Sequence, residues 1–402
     1  VYTLTIVFYI EEVILMELNR GQETALQNLL HWWKHKTKQV FEISGAAGTG
    51  KTTIVKELIE ALCLSKDQVL FMAYIGKATL ALARTGLNAK TIHSSICNID
   101  MVPKEDENGD PIVTEKSRYI WVPKFSRKQH LDGDIRLIVV DEAAMVPEEL
   151  AKWILEFNIP VIALGDLNQL PPVIGNSFFL KNPDVILTEI MRQSDESPIP
   201  WLAKDILEGK RLTRGNIGNS IAIMSQRDFD KKLFTYSDII ICGTNKTRDS
   251  LNNFYRKVLL EYKTDDLVVG DKMICRQNNW NASIGDNIYL INGMVGYITD
   301  IDLESSSAKR LTIDFRPEFM NESFIDLPID REYLKLPATY RKSHMSRLNK
   351  FEYGYAITCH LAQGSQYNKV IVINEPFGDY LFRRQWLYTA VTRAIDQLII
   401  LE

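Results

Sequence analysis

The run Gly45-Ala46-Ala47-Gly48-Thr49-Gly50-Lys51-Thr52 completes a G-x-x-x-x-G-K-[ST] pattern, and few patterns restrict a fold so tightly. Its glycines let the backbone curl until successive N–H groups point at phosphate oxygens. Its lysine can reach the β and γ phosphates, and its last hydroxyl can hold Mg²⁺. Such a loop works between a buried strand and the N-terminus of a helix, whose dipole adds to the anion site. The flanks meet this demand: Val40-Phe41-Glu42-Ile43-Ser44 reads as a short buried strand, and Thr53 to Leu64 places Ile54, Leu58, Ile59 and Leu62 on one helical face. The candidate nucleotide-binding residues are therefore Gly45, Ala46, Ala47, Gly48, Thr49, Gly50, Lys51, Thr52 and Thr53, with Thr52 a candidate Mg²⁺ ligand.

The 402 residues leave room for two or more domains, and 46% hydrophobic with 24% charged residues is an ordinary globular composition. A formal net charge of −4 means that a polyanionic partner would be met by local basic patches and not by a global positive field. Cys63, Cys97, Cys242, Cys275 and Cys359 stand singly, without a C-x-x-C pair, which argues against a zinc site or a disulfide framework and favours a reducing, intracellular setting. The apolar opening Val1–Ile10 is too short to span a bilayer and runs into Glu11-Glu12, without a basic leader or a small-residue cleavage site. Residues 1–15 read either as an extra edge strand or as an extension foreign to the fold, with Met16 just before the first recognisable motif.

From residue 40 to about 190, short apolar runs near 40–44, 68–73, 137–140 and 161–164 alternate with helical segments, which predicts a parallel α/β sheet. The stretch from Asn98 to Asp134 breaks the alternation with charge, glycine and proline, and predicts an inserted hairpin or subdomain. A second α/β unit starts near residue 196, with strands expected at Ile239–Cys242, Val370–Ile373 and Leu398–Leu401. Between about 265 and 340, short alternating strands with turn signals at Gly270-Asp271 and Asn292-Gly293 predict a small inserted β-barrel.

Two further strand ends carry chemistry. Leu137-Ile138-Val139-Val140 runs into Asp141-Glu142, where Asp141 suits Mg²⁺ and Glu142 suits a general base for an attacking water. Val161-Ile162-Ala163-Leu164 runs into Gly165-Asp166-Leu167-Asn168-Gln169-Leu170-Pro171-Pro172, where Gln169 could sense the γ-phosphate or the water. Parallel sheets gather ligands at the carboxyl ends of their strands, so these tips are expected beside the loop at Gly45–Thr52.

With these motifs in place, the chain resembles the superfamily 1B DNA helicases of the RecD-like and phage Dda-like branch, from about Leu18 to its C-terminus. The resemblance implies two RecA-like P-loop parallel-sheet domains, the first at 16–195 with its insert at 98–134, the second at 196–264 and 341–402. It also implies an SH3-like β-barrel insert at 265–340 that helps to hold the strand, and a strand-separating pin in the first insert. It assigns Gln22 to adenine, and Arg192 in Thr188-Glu189-Ile190-Met191-Arg192-Gln193 to the γ-phosphate. Arg393 in Leu387-Tyr388-Thr389-Ala390-Val391-Thr392-Arg393-Ala394 becomes a second arginine finger from the other side of an interdomain cleft. Tyr355 to Ser365 resembles the coupling motif, with Gln363 and Gly364 nearest the phosphate and Thr358, His360 and Ser365 toward the strand. Thr91 and His93, in Thr91-Ile92-His93-Ser94, are implied strand contacts as well.

Two positions depart from the branch pattern. Ile75 stands where a phosphate-binding threonine is usual, which shifts the expected contact to Lys77 or to backbone N–H groups, with Tyr74 available to stack on a base. Leu361 replaces the lysine that usually follows the motif histidine. Two basic and aromatic stretches could compensate: Lys116, Arg118, Trp121, Lys124, Phe125, Arg127 and Lys128, and Tyr340-Arg341-Lys342 through Arg347, Lys350 and Phe351. The resemblance implies ATP and Mg²⁺ as cofactors and single-stranded or tailed duplex DNA as the substrate. It also implies a monomeric motor moving 5′ to 3′, replication or recombination proteins as partners, no membrane, and a setting that includes a phage protein in its bacterial host. Open alternatives are an RNA track and a RecD-like subunit acting through partner binding.

Overall fold

The computed structural model describes residues 18–46, 48–74, 79, 82, 86–103, 111, 121–171, 177–189, 197–285, 288–318, 320–341, 344 and 346–402. The expected roles of residues 1–15, Ala47, Ile75, Lys77, Lys116, Arg118, Arg192 and Lys342 therefore fall outside the described residues. Two compact units divide the chain. The first is built from residues before 192, and the second from residue 192 onward together with Asn168–Leu170.

The first unit is organised by a sheet of six parallel strands: β1 (Val40–Gly45), β2 (Val69–Ala73), β3 (Ala89–Thr91), β6 (Leu137–Asp141), β7 (Val161–Gly165) and β8 (Val185–Leu187). Their spatial order is β3-β2-β6-β7-β1-β8. All five residues of β2 and of β7 are buried, which is why these strands read as continuous apolar runs and not as alternating ones. Register brings the working ends level: Ser44 pairs with Gly165, and Val140 with Ala163. The expected insert contains a two-stranded antiparallel ribbon, β4 (Cys97–Pro103) with β5 (Trp121–Arg127). The helix Arg20–His35 packs on the sheet through Ala25, Leu26, Leu29 and Trp32.

The second unit repeats the scheme. Strands β9 (Gly215–Ile217), β10 (Ile221–Met224), β11 (Ile239–Cys242), β19 (Ala356–Thr358), β20 (Tyr367–Ile373) and β21 (Ala394–Leu401) lie in the order β19-β11-β20-β21-β10-β9, all parallel except the edge strand β9. The two P-loop-type parallel sheets give the α/β class expected, and the short strands β8, β10 and β19 add to the apolar runs visible in the sequence.

Between β11 and β19 the chain forms an antiparallel sheet of β12 (Lys272–Cys275), β15 (Val295–Asp302), β16 (Arg310–Pro317), β17 (Phe324–Asp330) and β18 (Phe351–Tyr353), ordered β17-β16-β15-β12-β18. A small ribbon, β13 (Asn279–Ile284) with β14 (Ile288–Leu290), accompanies it. Two expectations change here. The sheet does not stop at residue 340, because Phe351–Tyr353 pairs with β12, and three residues are too few to show an alternation. Asn292-Gly293 does not close a hairpin; it joins β14 to β15, strands of different sheets, with Gly293 in the left-handed region and its N–H donating to Cys275 O.

Candidate functional site

In the first unit, β1 delivers the chain into the glycine loop and the helix Lys51–Ala61 leaves it. A Cβ on Gly45 would lie 2.6 Å from Thr49 Oγ1, and Gly50 is left-handed at φ +80°, so neither position accepts a larger residue without strain. Thr49 is buried and ties the loop by donating its hydroxyl to Ala46 O at 2.9 Å. Lys51, Thr52 and Thr53 open the helix half-exposed, and neither a capping side chain nor an acidic residue occupies its first turn. The first N–H groups are therefore available to an anion. Lys51 folds back over the loop, donating to Gly45 O at 2.6 Å and Ala46 O at 3.0 Å. A lysine held by neutral carbonyls has a stronger partner to gain in a phosphate.

Asp141 ends β6 two strands from β1, its carboxyl raised above the ordinary range by burial and pulled back in part by the Lys51 charge. Glu142 follows at φ +49°, a conformation uncommon for a non-glycine residue, with its N–H donating to Asp141 Oδ1 at 2.9 Å. Thr52 and Asp141 are hard oxygen donors, a set that suits Mg²⁺. Asp166 is buried at the tip of β7 between them.

Gln22, which the resemblance assigns to adenine, links the helix start to the glycine loop in this structure. Its Oε1 accepts the Asn19 N–H at 3.0 Å in a capping box, and its Nε2 donates to Thr49 O at 3.2 Å. The amide thus ties the helix start to the loop. Thr91 also has a local task, capping the helix Ile92–Ile96 by accepting the Ser94 N–H. Tyr74, His93 and Phe125 line up as rings, with centroids 5.9 Å apart for Tyr74 and His93 and 5.0 Å for His93 and Phe125. Burial keeps the His93 imidazole below its usual pKa. Of the first basic stretch, Arg127 and Lys128 are paired with Glu156 and Asp132, while Lys124 and Phe125 remain exposed.

The second unit holds the remaining candidates. Gln363 is fully buried and donates Nε2 to Leu170 O at 2.9 Å, while Leu170 N–H donates to Thr389 Oγ1 at 2.9 Å. Arg393, only 2% exposed, donates Nε to Thr389 O, Nη1 to Ser365 O and Nη2 to Thr392 Oγ1 at 3.0–3.2 Å. Among these bonds its charge meets carbonyls and a hydroxyl but no carboxylate. The buried oxygens Gln169 Oε1, Gln363 Oε1 and Ser365 Oγ lack hydrogen-bond partners. Buried acceptors of this kind are ordinarily satisfied, and here they are suited to a water or a ligand donor.

In the coupling motif, Thr358 and Ser365 are 9% and 8% exposed. The first ends a strand and the second sits in the tight turn after left-handed Gly364. His360 is half-buried near the Phe382 ring, and its pKa is lowered by burial. In the second basic stretch, Arg341 is held between Asp249 and Glu352, and Lys350 donates to His344 O. Thr389 and Glu375 make contacts that no sequence motif signals. Thr389 lies inside the Arg393 motif with no signal of its own. Glu375 follows β20 and accepts from Gly243 N–H, Thr244 N–H and Thr247 Oγ1, bracing the turn after β11.

Residues 17–227 match the family model described as AAA domain, and residues 353–401 match that of the UvrD-like helicase C-terminal domain. The chain is similar to the ATP-dependent DNA helicase dda of Enterobacteria phage T4, 29% identical over 65% of this chain and 61% of that protein. It is also similar to the ATP-dependent RecD2 DNA helicase of Deinococcus radiodurans, 25% identical over 88% of this chain and 46% of that protein. The matched segment thus spans less than two thirds of either relative's length. Among solved structures, a Pif1 helicase from Bacteroides in complex with ADP-AlF3 and ssDNA shares the fold at TM-score 0.53 and 17% identity, over 96% of this chain and 92% of that one. Among the described residues no helix is long and apolar enough to cross a membrane.

Proposed function

We propose, on the premise that this chain belongs to the AAA domain family and to its RecD-like, Dda-like superfamily 1B branch, that it is an ATP-dependent DNA helicase moving 5′ to 3′ on single strands. The observation that carries the reading is that Lys51 and Thr52, after β1, and Asp141 and Glu142, at the end of β6, lie at the carboxyl edge of one parallel sheet with only β7 between their strands. Direction, and the steps that link hydrolysis to strand movement, follow from the likeness to the branch.

In this reading the loop N–H groups and the helix N-terminus bind the phosphates, and Lys51 leaves the loop carbonyls for the β and γ phosphates. Mg²⁺, held by Thr52 and Asp141, would neutralise charge developing on the phosphates. Glu142 takes a proton from the attacking water, and the resemblance assigns Gln169 to orient that water. Arg393 and Arg192 are assigned to transition-state charge, a role worth about 10³–10⁵ in rate in related phosphoryl transfer. Tyr74, His93 and the exposed Phe125 supply rings on which bases can stack, each stack worth about 1–3 kcal/mol. The antiparallel sheet between β11 and β19 takes the place of the SH3-like insert, and the β4–β5 ribbon that of the pin.

The test is unwinding of 5′-tailed and 3′-tailed DNA duplexes, and of the same duplexes with RNA tails. The reading expects ATP-dependent opening of the 5′-tailed DNA alone. Opening from the 3′ tail contradicts the direction, a preference for RNA tails contradicts the track, and absence of unwinding with intact ATPase activity favours a partner-binding subunit.

A further inference from the structure

Leu170 follows the strand β7, which ends at Gly165, yet it belongs to the second unit. Its side chain is buried in that unit's core cluster, which includes Ile199, Trp386 and Ala390. Backbone buried outside a strand must find partners for its own N–H and C=O groups. For Leu170 both partners are side chains: its N–H donates to Thr389 Oγ1, and Gln363 Nε2 donates to its carbonyl, each at 2.9 Å.

Thr389 is fully buried in the helix Tyr380–Val391 and works through both of its oxygens. Its hydroxyl donates to Gln385 O at 2.7 Å while it accepts from Leu170. The bond to Gln385 is common for a helical threonine, whereas the bond to Leu170 joins residues 219 apart in sequence. The carbonyl lies in the last turn of the helix, where acceptors outnumber N–H donors, and it accepts from Arg393 Nε and Thr392 Oγ1, each at 3.0 Å. One residue therefore holds the peptide between Gln169 and Leu170 on its hydroxyl and the Arg393 guanidinium on its carbonyl. Gln169 and Arg393 are themselves 7% and 2% exposed, so both are set by packing and not by solvent.

We propose that Thr389 is a positioning residue for ATP hydrolysis that sets Gln169 through the Leu170 N–H, an inference that rests on the reading of the chain as an ATP-driven motor with Gln169 and Arg393 at the reaction. Holding the Gln169–Leu170 peptide plane fixes the point from which the Gln169 amide projects, and the common anchor keeps that amide in register with Arg393. A valine in place of Thr389 fills the same volume and takes the acceptor from the Leu170 N–H. Misplacement of a reacting group by about 1 Å can cost on the order of 10² in rate, so the loss belongs in turnover and not in nucleotide binding.

The test is steady-state ATP hydrolysis by the whole chain with saturating single-stranded oligodeoxynucleotide, with rates counted per nucleotide site titrated by a fluorescent ADP. Thr389→Val is expected to lower kcat about tenfold and to leave KM for ATP within about twofold, the pattern of an interaction lost in the transition state. Thr389→Ser, which keeps the hydroxyl, recovers most of that loss. Added to Gln169→Ala, Thr389→Val should cost less than about twofold more, because the two changes remove one contribution. A Thr389→Val kcat within about twofold of wild type, an equal loss in Thr389→Ser, or the same loss with and without Gln169 overturns the assignment. Wild-type hydrolysis that does not rise with the strand overturns the motor reading instead, and the same variants then test Thr389 on strand-free rates.

Discussion

Lys51 illustrates how a single side chain can be poised between two partners. In this structure its ammonium rests on Gly45 O and Ala46 O, and a triphosphate offers it a formal charge instead. Lys51→Ala and Glu142→Gln are each expected to reduce ATP hydrolysis by about 10² or more, the scale at which electrostatic and general-base groups act. Steady-state phosphate release checks this, and a variant within threefold of wild type would remove that residue from the chemistry. His93 and His360 make a pH prediction. Burial lowers both imidazoles in the fold, so as pH falls the unfolded chain takes up protons first, near its ordinary value of about 6.5. Stability from this source is full above that pH and is lost as pH falls through the folded values. Urea unfolding at pH 7.5 and 5.5 should show the loss, and replacing both histidines by glutamine should flatten it. At this scale the sequence was most informative where chemistry demands a fixed pattern, as at Lys51 and Asp141. It was least informative where a side chain's partner is distant in sequence, as with Gln363 and Leu170 or Glu375 and Thr247.

In the helix Arg20–His35 one residue serves two elements. Asn19 and Gln22 cap each other, and Gln22 then reaches Thr49 O in the glycine loop. Asn19→Ala should cost about 1 kcal/mol, the usual worth of an N-cap, measured by urea unfolding. Gly50→Ala should cost more, because a Cβ there would lie 2.2 Å from Gln22 Nε2 in a left-handed conformation. In the Gln22→Ala background the clash is gone and the strain of φ remains, so the two substitutions should be non-additive. The helix and its cap residues were visible in sequence as a helix start; the brace was not, since nothing local links residue 22 to residue 49. The same limit explains β18, which becomes a strand only because β12 lies beside it.

For the whole molecule, the alternation of buried runs and helices was enough to indicate two parallel sheets, because strands buried on both faces must be apolar throughout. The antiparallel sheet was legible in outline, while its end beyond residue 340 depended on long-range pairing. A ligand that binds only the folded first unit must stabilise it by mass action. A non-hydrolysable ATP analogue with Mg²⁺ should therefore raise the melting temperature of wild type but not of Lys51→Ala, as followed by scanning calorimetry. If the proposed motor function is right, a single strand drives nucleotide turnover in the first unit, and steady-state ATP hydrolysis of the purified chain with Mg²⁺, with and without a single-stranded oligodeoxynucleotide, measures that coupling. A several-fold rise on adding the strand, abolished in Lys51→Ala, is expected; hydrolysis at one rate whether or not the strand is present would overturn the motor reading.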